Sequence, residues 1–258
     1  MKDLKGKKVL ITGATSGIGK ASVYKFAEHG ADIVILARRK ERLAEISEDL
    51  MKNYSIKVMT ITADVRNFDN VSDAINSLQG EWSEIDILLN NAGLARGFSN
   101  IQDGSVQDWN EMIDTNIKGL LFVTKLVIPL MLKRNTGHII NIGSIAGREV
   151  YPNGNVYCAT KHAVDAITKS LRMELVSTPV KVTTIDPGLV ETEFSLVRYR
   201  GDSGKAKKTY EGLTPLIPED VAECVLFAAT RNDNLVIADM VLLPKSQANT
   251  MVLDRKVM

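Results

Sequence analysis

The stretch KVLITGATSGIG, residues 8–19, decides the fold. Residues 8–12 form a short β-branched run of strand length. Residues 12–19 then make a glycine-rich turn that opens a helix, and such glycines let backbone N–H groups approach an anion at the positive end of that helix. The spacing is G-x-x-x-G-x-G, and a glycine-rich loop by itself also fits an ordinary tight turn.

The same strand-then-helix order repeats along the chain. We predict strands at residues 8–12, 32–37, 57–63, 85–90, 138–143, 181–186 and, less clearly, 235–243. Most are nearly continuous in Val, Ile and Leu, as in strands covered on both faces, and amphipathic stretches such as 20–29, 40–53 and 71–78 lie between them. This alternation predicts an α/β fold: a doubly wound sheet of about seven parallel strands with helices on both faces, in one domain spanning residues 1–258.

Composition restricts the function class. The 258 residues carry a formal net charge of +1, which argues against nucleic acid as a partner. Cys158 and Cys224 have no disulfide or zinc-ligand spacing, so we expect reduced thiols and no metal. The most apolar stretch, residues 120–132, is interrupted by Lys125 and Pro129 and is shorter than the ~20 residues that span a bilayer. We expect a soluble, cytoplasmic protein without a membrane partner.

Two segments break the alternation. Residues 112–133 predict a long helix that is apolar on more than one face, which indicates either a deep core helix or a subunit contact. Residues 191–212 combine glycines with basic side chains after a strand end. They fit either a solvated loop or, in our interpretation, a mobile lid over a site.

The second predicted strand ends in Arg38 and Arg39, followed by Lys40. Dinucleotide sites that take NAD usually place an acidic residue here for the ribose 2′-hydroxyl. Two guanidinium groups instead favour a 2′-phosphate, although a solvated helix start is the alternative. Because helix starts disfavour cations, we predict NADP as the cofactor.

A third cluster consists of Ser144, Tyr157 and Lys161. Tyr157 and Lys161 are four apart on a predicted helix, so they share one face. A cation at ~4 Å contributes ~4 kcal/mol at an effective dielectric near 20, which lowers the phenol pKa by roughly three units toward the range of a general acid/base. A Tyr-x-x-x-Lys spacing alone is common and usually inert.

These motifs together resemble the short-chain dehydrogenase/reductase family over nearly the whole chain. The matching positions, in order, are residues 12–19, residues 90–93 (NNAG), Asn116, Ser144, Tyr157, Lys161 and residues 187–188 (PG). The resemblance implies a Rossmann fold, a nicotinamide cofactor and a homotetramer. It also implies a catalytic tetrad, with Tyr157 as acid/base, Ser144 bonding the substrate oxygen, Lys161 holding the nicotinamide ribose and lowering the tyrosine pKa, and Asn116 anchoring a proton-relay water.

The resemblance also implies the wall of the cofactor site. With the two arginines, the expected contacts are Gly13, Thr15, Ser16, Gly17, Ile18, Gly19, Arg38, Arg39, Asp64, Val65, Asn91, Ala92, Gly93, Tyr157, Lys161, Pro187, Gly188, Leu189, Val190 and Thr192. Asp64 has an alternative role, because Asp is a preferred helix cap.

Within the family, residues 143–147, 187–201 and 238–248 resemble the NADP-dependent 3-hydroxy acid group, which acts on serine and L-allo-threonine. We therefore expect hydride transfer at the 3-hydroxyl carbon of a small hydroxy acid, 3-hydroxyisobutyrate included. The substrate would meet Ser144, and Arg148, Arg198 or Arg200 is the candidate for its carboxylate. The alternatives are an NADPH-dependent carbonyl reductase for sugars, steroids or 3-oxoacyl thioesters, and a non-catalytic NADPH-binding protein.

Overall fold

The computed structural model describes residues 3–256. Strands within this range are β1 (Lys8–Thr12), β2 (Asp32–Ala37), β3 (Val58–Thr62), β4 (Ile85–Asn90), β5 (Gly137–Ile142), β6 (Val180–Pro187) and β7 (Asp239–Leu242). The α-helices are α1 (Gly17–Glu28), α2 (Lys40–Asn53), α3 (Phe68–Asn76), α4 (Val106–Ile113), α5 (Leu120–Lys133), α6 (Asn155–Glu174), α7 (Glu193–Arg198), α8 (Ser203–Tyr210) and α9 (Pro218–Ala229).

The strands form one sheet in the order β3-β2-β1-β4-β5-β6-β7, with every neighbouring pair parallel. The predicted doubly wound sheet of about seven parallel strands is therefore confirmed. The chain leaves β1 toward β2 and β3 and then returns to β4 on the other side of β1. In such sheets, ligands bind outside the carboxyl ends of the strands at this switch point.

The sheet separates two apolar cores. In β1, Val9 and Ile11 belong to the core under α1, α2 and α9, whereas Leu10 belongs to the core under α3 and α5. This two-sided burial explains why the strand sequences read as continuous apolar runs. The edge strands β3 and β7 are only partly buried, which matches the weaker pattern before residue 243.

The long apolar helix is longer than predicted and is not regular. The helical stretch runs over Val106–Lys133, and a π-type turn at Asp114–Gly119 joins α4 to α5. By length and composition alone this stretch qualifies as a candidate membrane span, which corrects our expectation from residues 120–132. Val123, Val127 and Met131 nevertheless pack into the second core, so α5 has the burial pattern of a core helix.

The segment predicted as a lid, residues 191–212, contains two short helices, α7 and α8. Each helix begins at a residue whose side chain caps the helix N-terminus, a feature that the sequence analysis of this basic segment did not consider. Thr192 Oγ1 accepts a hydrogen bond from the Phe194 N–H (3.0 Å), and Asp202 Oδ1 accepts one from the Lys205 N–H (3.0 Å). Helix α7 lies along the carboxyl edge of the sheet, at the cavity described next.

Candidate active site

A cavity of about 560 Å³ opens at the carboxyl edge of the sheet, lined by residues that follow β1 through β6. Most side chains expected at the site line it: Gly13, Thr15, Ser16, Gly17, Ile18, Arg38, Arg39, Asp64, Val65, Asn91, Ala92, Gly93, Ser144, Tyr157, Lys161, Pro187, Gly188, Leu189, Val190, Thr192 and Arg198. Four expected residues do not line it: Gly19, Asn116, Arg148 and Arg200.

The glycine-rich turn is held by the loop after β4. Asn91 Nδ2 donates to the carbonyl oxygens of Thr12 (2.9 Å) and Gly13 (3.2 Å). A side chain on Gly19 would place its Cβ 2.3 Å from this nitrogen, so the packing here requires glycine, and the cofactor contact of Gly19 stays a prediction. Gly17 has φ of +50° and faces Thr192, so it forms part of the cavity wall.

The two predicted phosphate-binding arginines differ in their surroundings. Arg38 is exposed at the cavity and makes no ion pair within residues 3–256. Arg39 has a partner at each of its three side-chain nitrogens: Nε and Nη2 donate to Thr15 Oγ1 (3.1 and 3.0 Å), and Nη1 donates to Glu193 Oε2 (3.0 Å). Glu193 Oε1 in turn accepts from Arg42 Nη1 (2.8 Å).

Asp64, after β3, forms a close pair with Arg66. Arg66 Nη2 lies 2.6 Å from Asp64 Oδ2, and the Arg66 N–H donates to Asp64 Oδ1 (3.0 Å). Partial burial acts to raise the pKa of Asp64, but these bonds hold it below its usual value. Helix α3 is capped instead by Asn67, whose Oδ1 accepts from the Asn70 N–H (3.0 Å), so the alternative role of Asp64 as a cap is wrong.

Tyr157 and Lys161 lie one turn apart on α6, both buried and both lining the cavity. Lys161 Nζ donates to the carbonyl oxygen of Ile142 at the end of β5 (2.9 Å). Burial lowers the pKa of Lys161 to about 8, against the opposing effect of the negative charge on Asp186. The ammonium is therefore charged at neutral pH and titrates just above it.

The phenol of Tyr157 is not acidified in the way the spacing predicts. Burial raises its pKa above the ordinary value, because the phenolate is poorly solvated there. A hydrogen bond from Ser144 and the positive charge of Arg198 act to lower the pKa, but they do not outweigh burial. Tyr157 is thus a protonated acid at neutral pH.

Asn116 lies in the π-type turn. Its Nδ2 donates to the Leu94 carbonyl (2.9 Å) and to Thr160 Oγ1 (3.0 Å), while its Oδ1 accepts from the Leu94 N–H (2.8 Å). A Cβ built on Gly93 would meet Asn116 Oδ1 at 3.4 Å and Lys161 Nζ at 3.6 Å. Asn116 therefore ties the loop after β4 to α6 beside Lys161, and its proton-relay role stays a prediction.

Arg198, the last residue of α7, is surrounded by aromatic rings. Its Cζ lies 4.8 Å from the ring centre of Phe98, 5.5 Å from that of Tyr151 and 5.7 Å from that of Tyr157. Nε donates to the Gly97 carbonyl (3.1 Å) and Nη1 to Tyr151 Oη (3.0 Å), with no carboxylate paired to it in the described chain. An unpaired cation thus sits beside the buried phenol.

A family model described as short chain dehydrogenase matches residues 7–200. The chain belongs to the short-chain dehydrogenase family. This confirms the predicted family and the predicted oxidoreductase activity on CH–OH groups.

Relatives of this short-chain dehydrogenase match almost its full length. The NADP-dependent 3-hydroxy acid dehydrogenase of Schizosaccharomyces pombe is 43% identical over 257 residues, covering 99% of each chain. The NADP-dependent 3-hydroxy acid dehydrogenase YdfG of Shigella flexneri is 47% identical over 241 residues, covering 93% of this chain and 96% of that one. The solved closed form of a serine dehydrogenase complexed with NADP+ superposes with a TM-score of 0.91 at 44% identity, covering 97% of this chain and 100% of that one.

Two of the three arginines proposed for the substrate carboxylate are committed elsewhere. Arg148 does not line the cavity and pairs with Asp186 (Nη2 to Oδ2, 2.6 Å) and Asp239 (3.3 Å). Arg200 pairs with Asp108. Because a guanidinium already neutralised by a carboxylate is a poor anion site, we remove both from the candidates.

Sequence reasoning missed several side chains of the cavity, among them Phe98, Tyr151, Glu193 and Phe194. Phe98 and Tyr151 lie in irregular segments, where hydrophobic periodicity gives no signal. Glu193 was detectable as an acid within a basic segment, but its partner Arg39 is 154 positions away in sequence.

Proposed function

We propose that this short-chain dehydrogenase is an NADP-dependent oxidoreductase that transfers a hydride between the 3-hydroxyl carbon of a small hydroxy acid and the nicotinamide. The observation that carries the proposal is the unpaired guanidinium of Arg198, 5.7 Å from the ring centre of Tyr157 in the cavity that also contains Ser144. An anion-binding group beside a proton-transferring group is what a hydroxy acid requires.

The residues of the cavity fit NADP. Arg38 presents a guanidinium to the cavity after β2, where an NAD site would place a carboxylate. The glycine-rich turn, Lys161 and Tyr157 line the same cavity. When bound, NADP accepts or supplies the hydride. The names of the relatives, which are NADP-dependent, agree with this assignment.

The chain's own residues handle the proton. In reduction, the protonated Tyr157 phenol donates to the developing alkoxide oxygen, and burial favours this protonated form. In oxidation, Tyr157 acts as phenolate and accepts the 3-hydroxyl proton. Ser144 holds the same oxygen by a hydrogen bond, and the positive charge of Arg198 acts to stabilise the phenolate electrostatically.

Arg198 supports a substrate with a carboxylate near the reacting carbon. Serine, L-allo-threonine and 3-hydroxyisobutyrate each have a hydroxyl on carbon 3 and a carboxylate two carbons away. Sugars and steroids lack the carboxylate, so a carbonyl reductase for those substrates would leave Arg198 without a function. This contrast discriminates the proposal from its alternatives.

The test is a substrate panel with NADP+, followed by nicotinamide absorbance. We expect turnover of at least one of the three hydroxy acids and little turnover of polyols or hydroxysteroids. The reverse preference, or the absence of turnover with every alcohol, would refute the proposal. A Tyr157→Phe variant is the matched control, because it removes the phenol hydroxyl that transfers the proton and keeps the ring. It should bind NADPH like the wild type while losing turnover.

We also propose that the protein is a cytoplasmic homotetramer. The outward face of the helical stretch that ends in α5 carries the large apolar side chains of Ile113, Leu121 and Leu132, each 37–41% exposed. Such a face supports burial against a second copy of the chain. The reduced cysteines Cys158 and Cys224 are compatible with the cytoplasm.

A further inference from the structure

The phosphate end of the cavity already contains a carboxylate of the same chain. Glu193, the first residue of α7, joins two arginines of the segment after β2. Its Oε2 accepts from Arg39 Nη1 (3.0 Å) and its Oε1 from Arg42 Nη1 (2.8 Å). Nε and Nη2 of Arg39 both donate to Oγ1 of Thr15, in the glycine-rich turn. Every nitrogen of the Arg39 guanidinium therefore has a partner.

Glu193 is charged under physiological conditions. Partial burial acts to raise the pKa of Glu193, but the hydrogen bonds from Arg42 and Arg39 hold it below the ordinary value. A 2′-phosphate carries up to two negative charges. The phosphate cannot bind the same edge of the Arg39 guanidinium unless it displaces the Glu193 carboxylate or lies next to it. Two negative groups that lie so close repel each other. Arg38, by contrast, pairs with no carboxylate within residues 3–256.

We propose that Glu193 influences cofactor specificity by competing with the 2′-phosphate of NADP for Arg39. It therefore weakens the binding of nucleotides that carry this phosphate and leaves the binding of other nucleotides unaffected. The proposal rests on the proposed NADP dependence. Its physical consequence is that the wild type discriminates less strongly between NADP and NAD than Arg38 and Arg39 would allow without Glu193.

Two nucleotide fragments test the competition without any catalytic step. Adenosine 2′,5′-bisphosphate carries the extra phosphate, and adenosine 5′-monophosphate lacks it. We would titrate both into the wild type and a Glu193→Gln variant by calorimetry at one fixed ionic strength, since exposed charges are screened by salt. Glutamine keeps the size and removes the charge.

For Glu193→Gln we expect the bisphosphate to bind about 3- to 10-fold more tightly, because exposed ion pairs are worth little individually. The monophosphate should bind as to the wild type. Glu191→Gln is the matched control: this exposed acid lies two residues earlier, and its side chain makes no hydrogen bond or ion pair in the described chain. It changes the net charge equally and should leave both affinities unchanged.

Three outcomes would overturn the competition. Weaker bisphosphate binding by Glu193→Gln would mean that Glu193 positions Arg39 for the phosphate. Equal changes for both fragments, or the same gain with Glu191→Gln, would mean a general charge effect. If the wild type prefers the bisphosphate and Glu193→Gln binds it with unchanged affinity, the competition is also rejected. If the wild type shows no preference for the bisphosphate, and Arg38→Ala does not weaken its binding, the proposed NADP dependence itself fails.

Discussion

Arg198 is the residue on which the proposed binding of a hydroxy acid depends most. Its guanidinium contacts the rings of Phe98, Tyr151 and Tyr157 and is not neutralised by any carboxylate of the described chain. It also lowers the pKa of Tyr157 against the raising effect of burial. The sequence spacing assigned that lowering to Lys161, whose ammonium instead donates to the Ile142 carbonyl.

We predict that Arg198→Met raises KM for an anionic hydroxy acid about 10- to 100-fold, as the loss of a charge-assisted hydrogen bond implies. Removing a positive charge beside the phenol also raises the pKa of Tyr157. The phenolate then forms at higher pH, so the pH profile for oxidation should shift in the alkaline direction. Initial rates across a pH series measure both effects.

Arg200→Met provides the control for Arg198→Met. Arg200 is two residues further along, pairs with Asp108 and does not line the cavity. We expect Arg200→Met to leave KM and the pH profile unchanged. Thermal unfolding of both variants would show whether either substitution lowers stability. Equal effects of the two substitutions would contradict a specific role of Arg198.

At the scale of elements, the glycine-rich turn and the loop after β4 form one unit. Glycine is needed at the three positions of the turn for different reasons. Gly17 faces the cavity, whereas Gly13 and Gly19 pack against Asn91. Helix α7 is a second such unit. It places Glu193 at the arginines, Phe194 on the ring of Tyr157 (5.5 Å between centres) and Arg198 over the same ring.

We predict that Gly19→Ala lowers the free energy of unfolding by about 2–4 kcal/mol, through overpacking and the loss of the Asn91 hydrogen bonds. The new Cβ would lie 2.3 Å from Asn91 Nδ2 and 2.5 Å from the Gly13 carbonyl oxygen. Urea unfolding measures the change. Gly204→Ala makes the same chemical change in the exposed helix α8, where the nearest atom is 3.4 Å away, and should be neutral or stabilising by up to ~1 kcal/mol. If Gly19→Ala is as stable as the wild type, the Asn91 side chain moves aside without cost and the prediction is wrong.

At the scale of the whole molecule, the sheet and its two cores leave the outward face of α5 without a partner in one chain. Leu121 and Leu132 are each 41% exposed there, while Val127 on the opposite face is buried. A helix that is apolar on both sides is consistent with a second contact outside the chain.

We predict that the wild type has four times the mass of one chain by light scattering, and that Leu121→Glu shifts the mass toward smaller species, because a buried carboxylate without a partner opposes association. Met51→Glu is the control. Met51 is a 55% exposed apolar residue on α2, away from this face, and its substitution should leave the mass unchanged. A monomeric wild type would contradict the proposed tetramer.

The sheet and the order of its elements could be predicted from the sequence, because continuous apolar runs alternate with amphipathic stretches and both are local patterns. The sequence also determined that Tyr157 and Lys161 share one face of a helix, since four residues make about one turn. Their roles follow from the family resemblance.

Tertiary structure alone decided which charges are free. Arg148, Arg198 and Arg200 are equivalent as sequence, but Asp186 lies 38 positions from Arg148 and Asp108 lies 92 positions from Arg200. Only Arg198 is left for a ligand, and Glu193 reaches Arg39 from 154 positions away. A charge pair depends on distance in space, and no local pattern records which distant carboxylate the fold brings to a given guanidinium.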